Sequence, residues 1–132
     1  MLFRSEGLDY AFIEMLSAVE QSAGQAAERI IAIGGAVRND FWMQNKADMC
    51  GRVVEAPQIE EATALGAAMQ AGVGRGVYKD LFEAADRVHK TGKLFEPDLK
   101  LTSLYAELID TYRQIYPALQ PVNKRIYDRF RV

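Results

Sequence analysis

The feature that most constrains the fold is a short apolar run that ends in two consecutive glycines. Arg29–Ile30–Ile31–Ala32–Ile33 is rich in β-branched residues, and Gly34–Gly35 follows directly. A run of this length bounded by glycine predicts a buried strand of a parallel sheet. Glycine lets the backbone turn sharply and approach a ligand closely, because it has no Cβ. Taken alone, the pattern is more typical of a tight turn than of a nucleotide site.

The segment before this run is predicted to be a helix, because its apolar residues recur at helical spacing and share one face. These residues are Leu8, Ala11, Phe12, Met15, Leu16 and Val19. Ser22–Ala23–Gly24 can end the helix, with Gly24 in a left-handed conformation.

A second helix and a second strand are predicted after the glycines. Asn39 or Asp40 can cap this helix, which ends near residue 50 at Gly51. Arg52–Glu55 is predicted to form a short strand that is stopped by Pro57. The chain therefore alternates helices with strands, which is typical of an α/β fold.

An alanine-rich helix is predicted next, from about Glu61 to Ala71. The acidic residues Glu60 and Glu61 favour its N-terminus by their charge. Glycines at positions 72, 74 and 76 follow. Because they come after a helix rather than a strand, they are more typical of a C-terminal cap and loop than of a phosphate-binding loop.

The remainder is predicted to be a short helix over Asp80–Lys90, a loop over Thr91–Pro97 and a long amphipathic helix from Leu101. Pro117 and Pro121 are expected to kink or end the long helix.

Only two strands are convincing in the sequence as a whole. Two parallel strands make a poor free-standing sheet, because their edges stay unpaired, so a fragment of a larger domain is expected. The strand at residues 29–33, central in the parent, would then have an exposed apolar edge, which favours dimerisation, aggregation or partial unfolding.

Composition excludes several classes of protein. The chain has 132 residues, 49% of them hydrophobic and 26% charged, with a net charge of −2, which is typical of one globular domain. No basic face suited to nucleic acid stands out. No apolar run is long enough to cross a membrane. Cys50 is the sole cysteine, so an intracellular, reducing compartment is expected.

The stretch from Ile30 to Val77 contains two motifs. The first is a Gly-Gly pair followed by small residues, an Asn, an aromatic residue and a Gln: Gly34, Gly35, Ala36, Asn39, Trp42 and Gln44. The second is an acidic residue followed by Ala-Thr-Ala-Leu-Gly-Ala-Ala, over residues 61–68. Together with Glu6–Gly7 and Phe95–Glu96–Pro97, they resemble the C-terminal domain of the FGGY family of carbohydrate kinases. That family shares its fold with actin, hexokinase and the Hsp70 ATPase domain.

The resemblance implies an α/β fold class: a partial ribonuclease H-like (actin-like ATPase) domain with few strands and several packed helices. It divides the chain into a nucleotide-binding α/β part at 1–78 and a helical tail at 79–132. It implies phosphorylation of a sugar or polyol hydroxyl, with ATP and Mg²⁺ in the complete enzyme, and a cytoplasmic location. It also implies a role for Gly66–Ala67–Ala68 at an interdomain hinge.

The resemblance assigns the nucleotide to Gly34, Gly35, Ala36 and Asn39. Gly34 would hold the turn, and the Gly35 backbone would lie against the phosphate and ribose. The Asn39 side chain would hydrogen-bond the nucleotide. Many family members have a third glycine where this chain has Ala36, although the glycerol-kinase branch also has alanine. The methyl group of Ala36 is expected to reduce the space available to a nucleotide beside the turn without excluding the nucleotide.

The general base, the phosphate loops and the Mg²⁺ carboxylate that such a kinase needs lie elsewhere in the family. We therefore assign no catalytic residue and no metal ligand, and we expect the chain to be inactive alone. The alternative is a non-catalytic nucleotide-binding or oligomerisation module.

Other noticeable residues have structural interpretations. Trp42 is expected to be core or groove wall rather than a base-stacking residue, and Asp48 a helix-surface or capping residue. Cys50 is expected to be a small buried residue, and His89 to be non-catalytic. The tyrosines of the last helix favour core packing first and a subunit contact, as in a homodimer, second.

Overall fold

The computed structural model describes residues 3–59 and 61–130. Glu60, with its expected charge effect, lies outside the described residues. The elements in chain order are α1 Phe3–Ala23, β1 Arg29–Ile31, a 3-10 helix Gly35–Arg38, α2 Asp40–Cys50, β2 Val53–Ala56, α3 Ala62–Gly74, α4 Leu81–Val88, β3 Lys93–Phe95 and α5 Leu99–Phe130. Among the described residues, no helix combines the length and apolarity that a membrane crossing needs.

The sheet has three strands in the order β1-β2-β3. β1 and β2 are parallel, with Ile30 opposite Val54. β2 and β3 are antiparallel, with Val54 opposite Phe95. The expectation of only two strands, with a loop over Thr91–Pro97, was therefore wrong. β3 has three residues and forms only because β2 offers it a free edge, a long-range condition that local sequence does not reveal.

The core lies where α2 packs against β2 and β3. Five buried apolar residues form it: Met43, Ala47, Val54, Ala56 and Phe95. α2 is held at both ends as expected. Asn39 caps its N-terminus, and Gly51 ends it in the left-handed conformation with φ 63°.

β1 is an exposed edge strand, which corrects the expectation of a buried one. Ile31 is 51% exposed and Ile33, which follows the strand, is 57% exposed. The sequence also predicted that one edge of this strand would have no partner strand, and the order β1-β2-β3 confirms that prediction. α3 is exposed as well: it contains no charged residue, and none of its residues is buried. β1 and α3 therefore present apolar surface to solvent.

A buried carboxylate joins α1 to α2. Asp9 has no exposed surface, and three side chains of α2 surround it. Trp42 Nε1 donates to Asp9 Oδ1 and Oδ2 at 3.0 and 3.1 Å. Asn45 Nδ2 donates to Oδ2 at 2.9 Å, and Lys46 Nζ lies 2.6 Å from Oδ1. The apolar stripe predicted on α1 contributes less, since Leu8 and Met15 are more than half exposed.

Asp48 fixes the start of α5. It is buried, so of the two roles expected for it, a helix-surface residue or a capping residue, the first was wrong. Its Oδ1 accepts a hydrogen bond from the Asp98 backbone N–H at 2.8 Å, and its carbonyl oxygen accepts one from Thr102 Oγ1 at 2.7 Å. Asp48 thus satisfies backbone at the N-terminus of another helix, a capping role across the fold.

α5 begins at Leu99 and continues through both prolines to Phe130. The alternative that Pro117 or Pro121 would end it was wrong. α3 likewise extends beyond the predicted end at Ala71 to Gly74, and Gly76 supplies the left-handed residue after it with φ 75°. Gly76 therefore fits the predicted cap and loop, whereas Gly72 and Gly74 lie inside α3, so the expectation that they belong to the cap and loop was wrong.

Candidate functional site

The Gly-Gly pair lies just beyond the C-terminal end of β1. Gly34 has φ 88° and ψ −173°, a combination that is essentially restricted to glycine. The chain then enters the 3-10 helix, in which Val37 N–H donates to the Gly34 carbonyl at 3.2 Å. Asn39 N–H donates to the Ala36 carbonyl at 3.1 Å. Gly34 therefore permits a sharp turn that a residue with a side chain would adopt only under strain.

Asn39 connects this turn to α2. Its Oδ1 accepts a hydrogen bond from the Trp42 backbone N–H at 3.1 Å, as predicted for an N-cap. Asn39 is exposed, and its Nδ2 group makes no hydrogen bond within the part of the chain that the structure describes. The Oδ1 atom of Asn39 therefore caps α2, and its Nδ2 group can donate a hydrogen bond to a ligand.

A cavity of about 430 Å³ opens beside the turn. Its walls come from Gly34, Gly35, Val37, Arg38, Pro57, Gln58, Ile59 and Glu61. Ligand pockets commonly have this size. The first four residues follow β1 and the others follow β2, so the cavity lies at the C-terminal ends of two parallel strands, where open α/β sheets bind ligands.

The four residues assigned from sequence divide into two groups. Gly34 and Gly35 line the cavity. A Cβ placed on Gly35 would meet no protein atom within 4 Å, so a side chain there would occupy open space beside the cavity. Ala36 packs against the core and is not part of the lining, so its methyl group does not narrow the cavity as expected. Asn39 lies at the α2 end of the turn.

Three polar residues of the lining were not identified from sequence: Arg38, Gln58 and Glu61. The signal that could have found Gln58 and Glu61 is the parallel pairing of the two predicted strands, because their C-terminal ends meet at one edge of the sheet. Arg38 makes no ion pair with any residue in the ranges 3–59 and 61–130. Its guanidinium is permanently charged, so the cavity contains one free cation and one carboxylate.

The residues given structural interpretations lie away from this cavity. Trp42 is half-buried and packs against the core, as the first of its two expected roles requires, and its Nε1 belongs to the Asp9 cluster. Cys50 is half-buried, and burial raises the pKa of its thiol. A thiol with a raised pKa is a poor nucleophile at neutral pH.

His89 belongs to a second ionic cluster, around the fully buried Glu55. His89 Nε2 lies 3.2 Å from Glu55 Oε1, and Arg29 Nη1 lies 2.9 Å from Oε2. Neither contact has the alignment of a hydrogen bond. Its residues belong to β1, β2 and the C-terminal cap of α4, and none of them lines the cavity.

A sequence model described as "FGGY family of carbohydrate kinases, C-terminal domain" matches residues 5–75. The chain is 40% identical over 93 residues to a glycerol kinase of Pasteurella multocida. It is 30% identical over 118 residues, 89% of its length, to a xylulose kinase of Bacillus subtilis. It covers 18% and 23% of these two proteins, respectively.

Solved structures give the same picture. A xylulose kinase from Brucella ovis matches 89% of the chain with a TM-score of 0.76 and 27% identity, and 24% of that protein is covered. A xylulose kinase from Rhodospirillum rubrum matches 89% of the chain with a TM-score of 0.73 and 28% identity, again with 24% covered. The mixed α/β fold is therefore that of the actin-like ATPases, to which these sugar kinases belong.

Proposed function

This chain belongs to the FGGY family of carbohydrate kinases and matches part of the family's C-terminal domain. We propose that it forms part of the ATP-binding site of an enzyme that phosphorylates a sugar or polyol hydroxyl. The observation that carries the proposal is the turn at Gly34–Gly35, which borders an open cavity at the ends of two parallel strands. The turn lies inside the segment that matches the family.

The lining suits a nucleotide. Val37, Pro57 and Ile59 offer apolar surface for a base. Gly35, which has no side chain, lets the sugar and phosphates approach the backbone. Arg38 supplies positive charge close to the phosphates, and the Asn39 Nδ2 group supplies a donor.

This chain would provide only part of the site. It covers about a fifth of the length of its relatives, and the phosphate loops and the general base would come from the remainder. Among the described residues, no three His, Cys, Asp or Glu side chains are grouped to hold a metal ion. By the family resemblance, Mg²⁺, which neutralises phosphate charge in such reactions, would be bound by ATP and by residues outside this chain. We place the enzyme in the cytoplasm, where a thiol such as Cys50 stays reduced.

We expect the purified chain to show no ATP consumption that depends on an added sugar or polyol, because positioning and phosphate neutralisation supply most of the catalysis. A chimera provides the positive test. When this chain replaces the matching segment of the B. subtilis xylulose kinase, the chimera is expected to phosphorylate the host enzyme's substrate.

Gly35→Val in that chimera is expected to abolish activity by filling the space next to the nucleotide. Ala106→Val, at an exposed position of α5, is the matched control and should leave activity intact. Substrate-dependent ATP consumption by the isolated chain, or a folded chimera whose activity survives Gly35→Val, would contradict the proposal.

A further inference from the structure

A second cavity lies between α1 and the first half of α5, and it shares no lining residue with the cavity at the Gly34–Gly35 turn. Its volume is about 260 Å³, just below the roughly 300 Å³ at which ligand pockets usually begin, so it suits a small molecule. Glu6 is the only charged residue among the described residues that line it. Three tyrosines and two aliphatic residues supply most of the wall: Tyr10, Tyr105, Tyr112, Leu108 and Ile115.

The half-buried carboxylate of Glu6 has one long hydrogen bond and no counter-charge. Tyr105 Oη lies 3.4 Å from Glu6 Oε1 and 3.2 Å from Asn45 Oδ1. A hydroxyl has one proton, so it donates to only one of these acceptors at a time, and the shorter contact favours Asn45. Within residues 5–59 and 61–130, no Lys, Arg or His side chain pairs with Glu6. The carboxylate is therefore available to a cation.

The neighbouring hydroxyl groups respond to this charge. Burial raises the pKa of Tyr10, and the negative charge of Glu6 raises it further. Burial also raises the pKa of Tyr105, with further contributions from the charge and the hydrogen bond of Glu6. Both tyrosines are therefore neutral at physiological pH, and the charge on Glu6 makes the potential at this end of the cavity favourable to a cation.

Cations of the surrounding helices are engaged with other carboxylates. Lys46 of α2 lies 2.6 Å from Asp9, and Arg113 of α5 lies 2.9 Å from Glu14 and from Asp110. Neither cation lines the cavity. The carboxylate at the cavity is therefore not neutralised by these side chains.

The aromatic part of the wall is held in place by ring contacts. The rings of Tyr10 and Tyr112 stack with centroids 4.9 Å apart, and Tyr105 meets Tyr10 edge to face at 6.4 Å. Tyrosine rings attract cations through their π faces. Leu108 and Ile115 are 44% and 46% exposed, so apolar surface beside the rings is open to a ligand that would cover it.

We propose that this cavity binds a small primary ammonium compound with an apolar body. The ammonium group donates to the Glu6 carboxylate, and the apolar body lies against the tyrosine rings and Ile115. A neutral ligand of the same shape lacks the charge-assisted hydrogen bond, and an anion is repelled by Glu6. The site is separate from the Gly34–Gly35 turn and does not rest on nucleotide binding.

Three probes of similar shape test the selectivity for positive charge. The ¹⁵N-labelled chain is titrated at constant neutral pH and ionic strength with benzylamine, which is then protonated as lysine is, with benzyl alcohol and with benzoate. Benzylammonium should shift the amide signals of the α1 and α5 residues that line the cavity, with a Kd on the order of 1 mM for a ligand of this size. Benzyl alcohol should bind at least about tenfold more weakly, and benzoate should cause no saturable shift.

Variants locate the charge that selects the ligand. Glu6→Gln keeps the size of the side chain and should weaken benzylammonium binding about tenfold, while benzyl alcohol binds as before. The matched control is Glu107→Gln, the same change at an exposed position of α5 outside the lining, and it should alter no affinity. Leu108→Trp fills the cavity from its open side and should block both probes. Circular dichroism checks that each variant is folded.

Four results would overturn the proposal. The first is equal affinity for the three probes, which would mean apolar binding without selection of charge. The second is benzylammonium binding that is undiminished in a folded Glu6→Gln variant. The third is a set of shifts that lies away from the cavity lining. The fourth is no saturable shift at concentrations well above the expected Kd, which would mean that Glu6 faces only water.

Discussion

Asp9→Ala is expected to lower the free energy of unfolding by about 3–5 kcal/mol, the usual loss when one partner of a buried ion pair is removed. Asp9 has no exposed surface and accepts from Trp42, Asn45 and Lys46 at once. Without it, the buried Asn45 Nδ2 and the half-buried Trp42 Nε1 lose this acceptor, and the Lys46 ammonium loses its counter-charge. Single domains are stable by only about 5–15 kcal/mol, so this one substitution removes much of the total.

Urea denaturation followed by circular dichroism measures this loss. Asp110→Ala is the matched control, because Asp110 also pairs with a cation, Arg113, but is 79% exposed. An exposed pair of this kind contributes at most about 1 kcal/mol. Asp9→Asn should fall between the two, since it keeps the shape and loses the charge. Equal effects of Asp9→Ala and Asp110→Ala would show that the cluster between α1 and α2 does not stabilise the fold.

Gly92→Ala is expected to disrupt the pairing of β2 with β3. A Cβ on Gly92 would overlap the carbonyl oxygen of Ala56 and lie 2.7 and 2.8 Å from Ala56 C and Pro57 Cα. These are backbone atoms that cannot rotate away, so the strand must move. Forcing extra atoms into a packed site costs about 1–3 kcal/mol or more. We expect a loss at the upper end of that range, because the shift falls on a strand of only three residues.

Gly66→Ala is the control for Gly92→Ala. Gly66 lies inside α3, where a Cβ would meet nothing within 4 Å, and alanine in a helix interior is favoured over glycine by about 1 kcal/mol. The two substitutions should therefore change the urea midpoint in opposite directions. Amide exchange of β3 should be faster in Gly92→Ala. A variant as stable as wild type would mean that the approach of residue 92 to Ala56 is not tight in solution.

The elements that the sequence predicted best are those with local signals at both ends. α2 is bounded by Asn39 and Gly51, whose capping geometry depends on neighbouring residues alone. β3 was missed because three residues carry no periodicity, and its pairing depends on a strand 40 positions earlier along the chain. The burial of Asp48 was missed for the same reason, since its partners Asp98 and Thr102 are about 50 positions away.

Part of the cavity lining could be predicted from the sequence. Gly34 could be found because the local backbone requires glycine there, as its φ confirms, and Gly35 was found through the motif that the two residues share. The facing wall depends on the register of two strands. Gln58 belongs to no motif, and Glu61 opens the second motif but was not assigned to the cavity from sequence. Ala36 was assigned to the nucleotide by resemblance, yet it packs on the core. Its position in a motif does not reveal which way its methyl group points.

The central claim is that the turn at Gly34–Gly35 binds a nucleotide, and titrating the ¹⁵N-labelled chain with ADP tests it most directly. With the phosphate loops elsewhere, we expect weak binding with a Kd on the order of 1 mM, or about −4 kcal/mol. The amide signals of Gly34, Gly35 and Asn39 should shift together and saturate, and Gly35→Val should abolish the shifts. If ADP shifts other signals and leaves Gly35 and Asn39 unmoved, the assignment of the site is wrong.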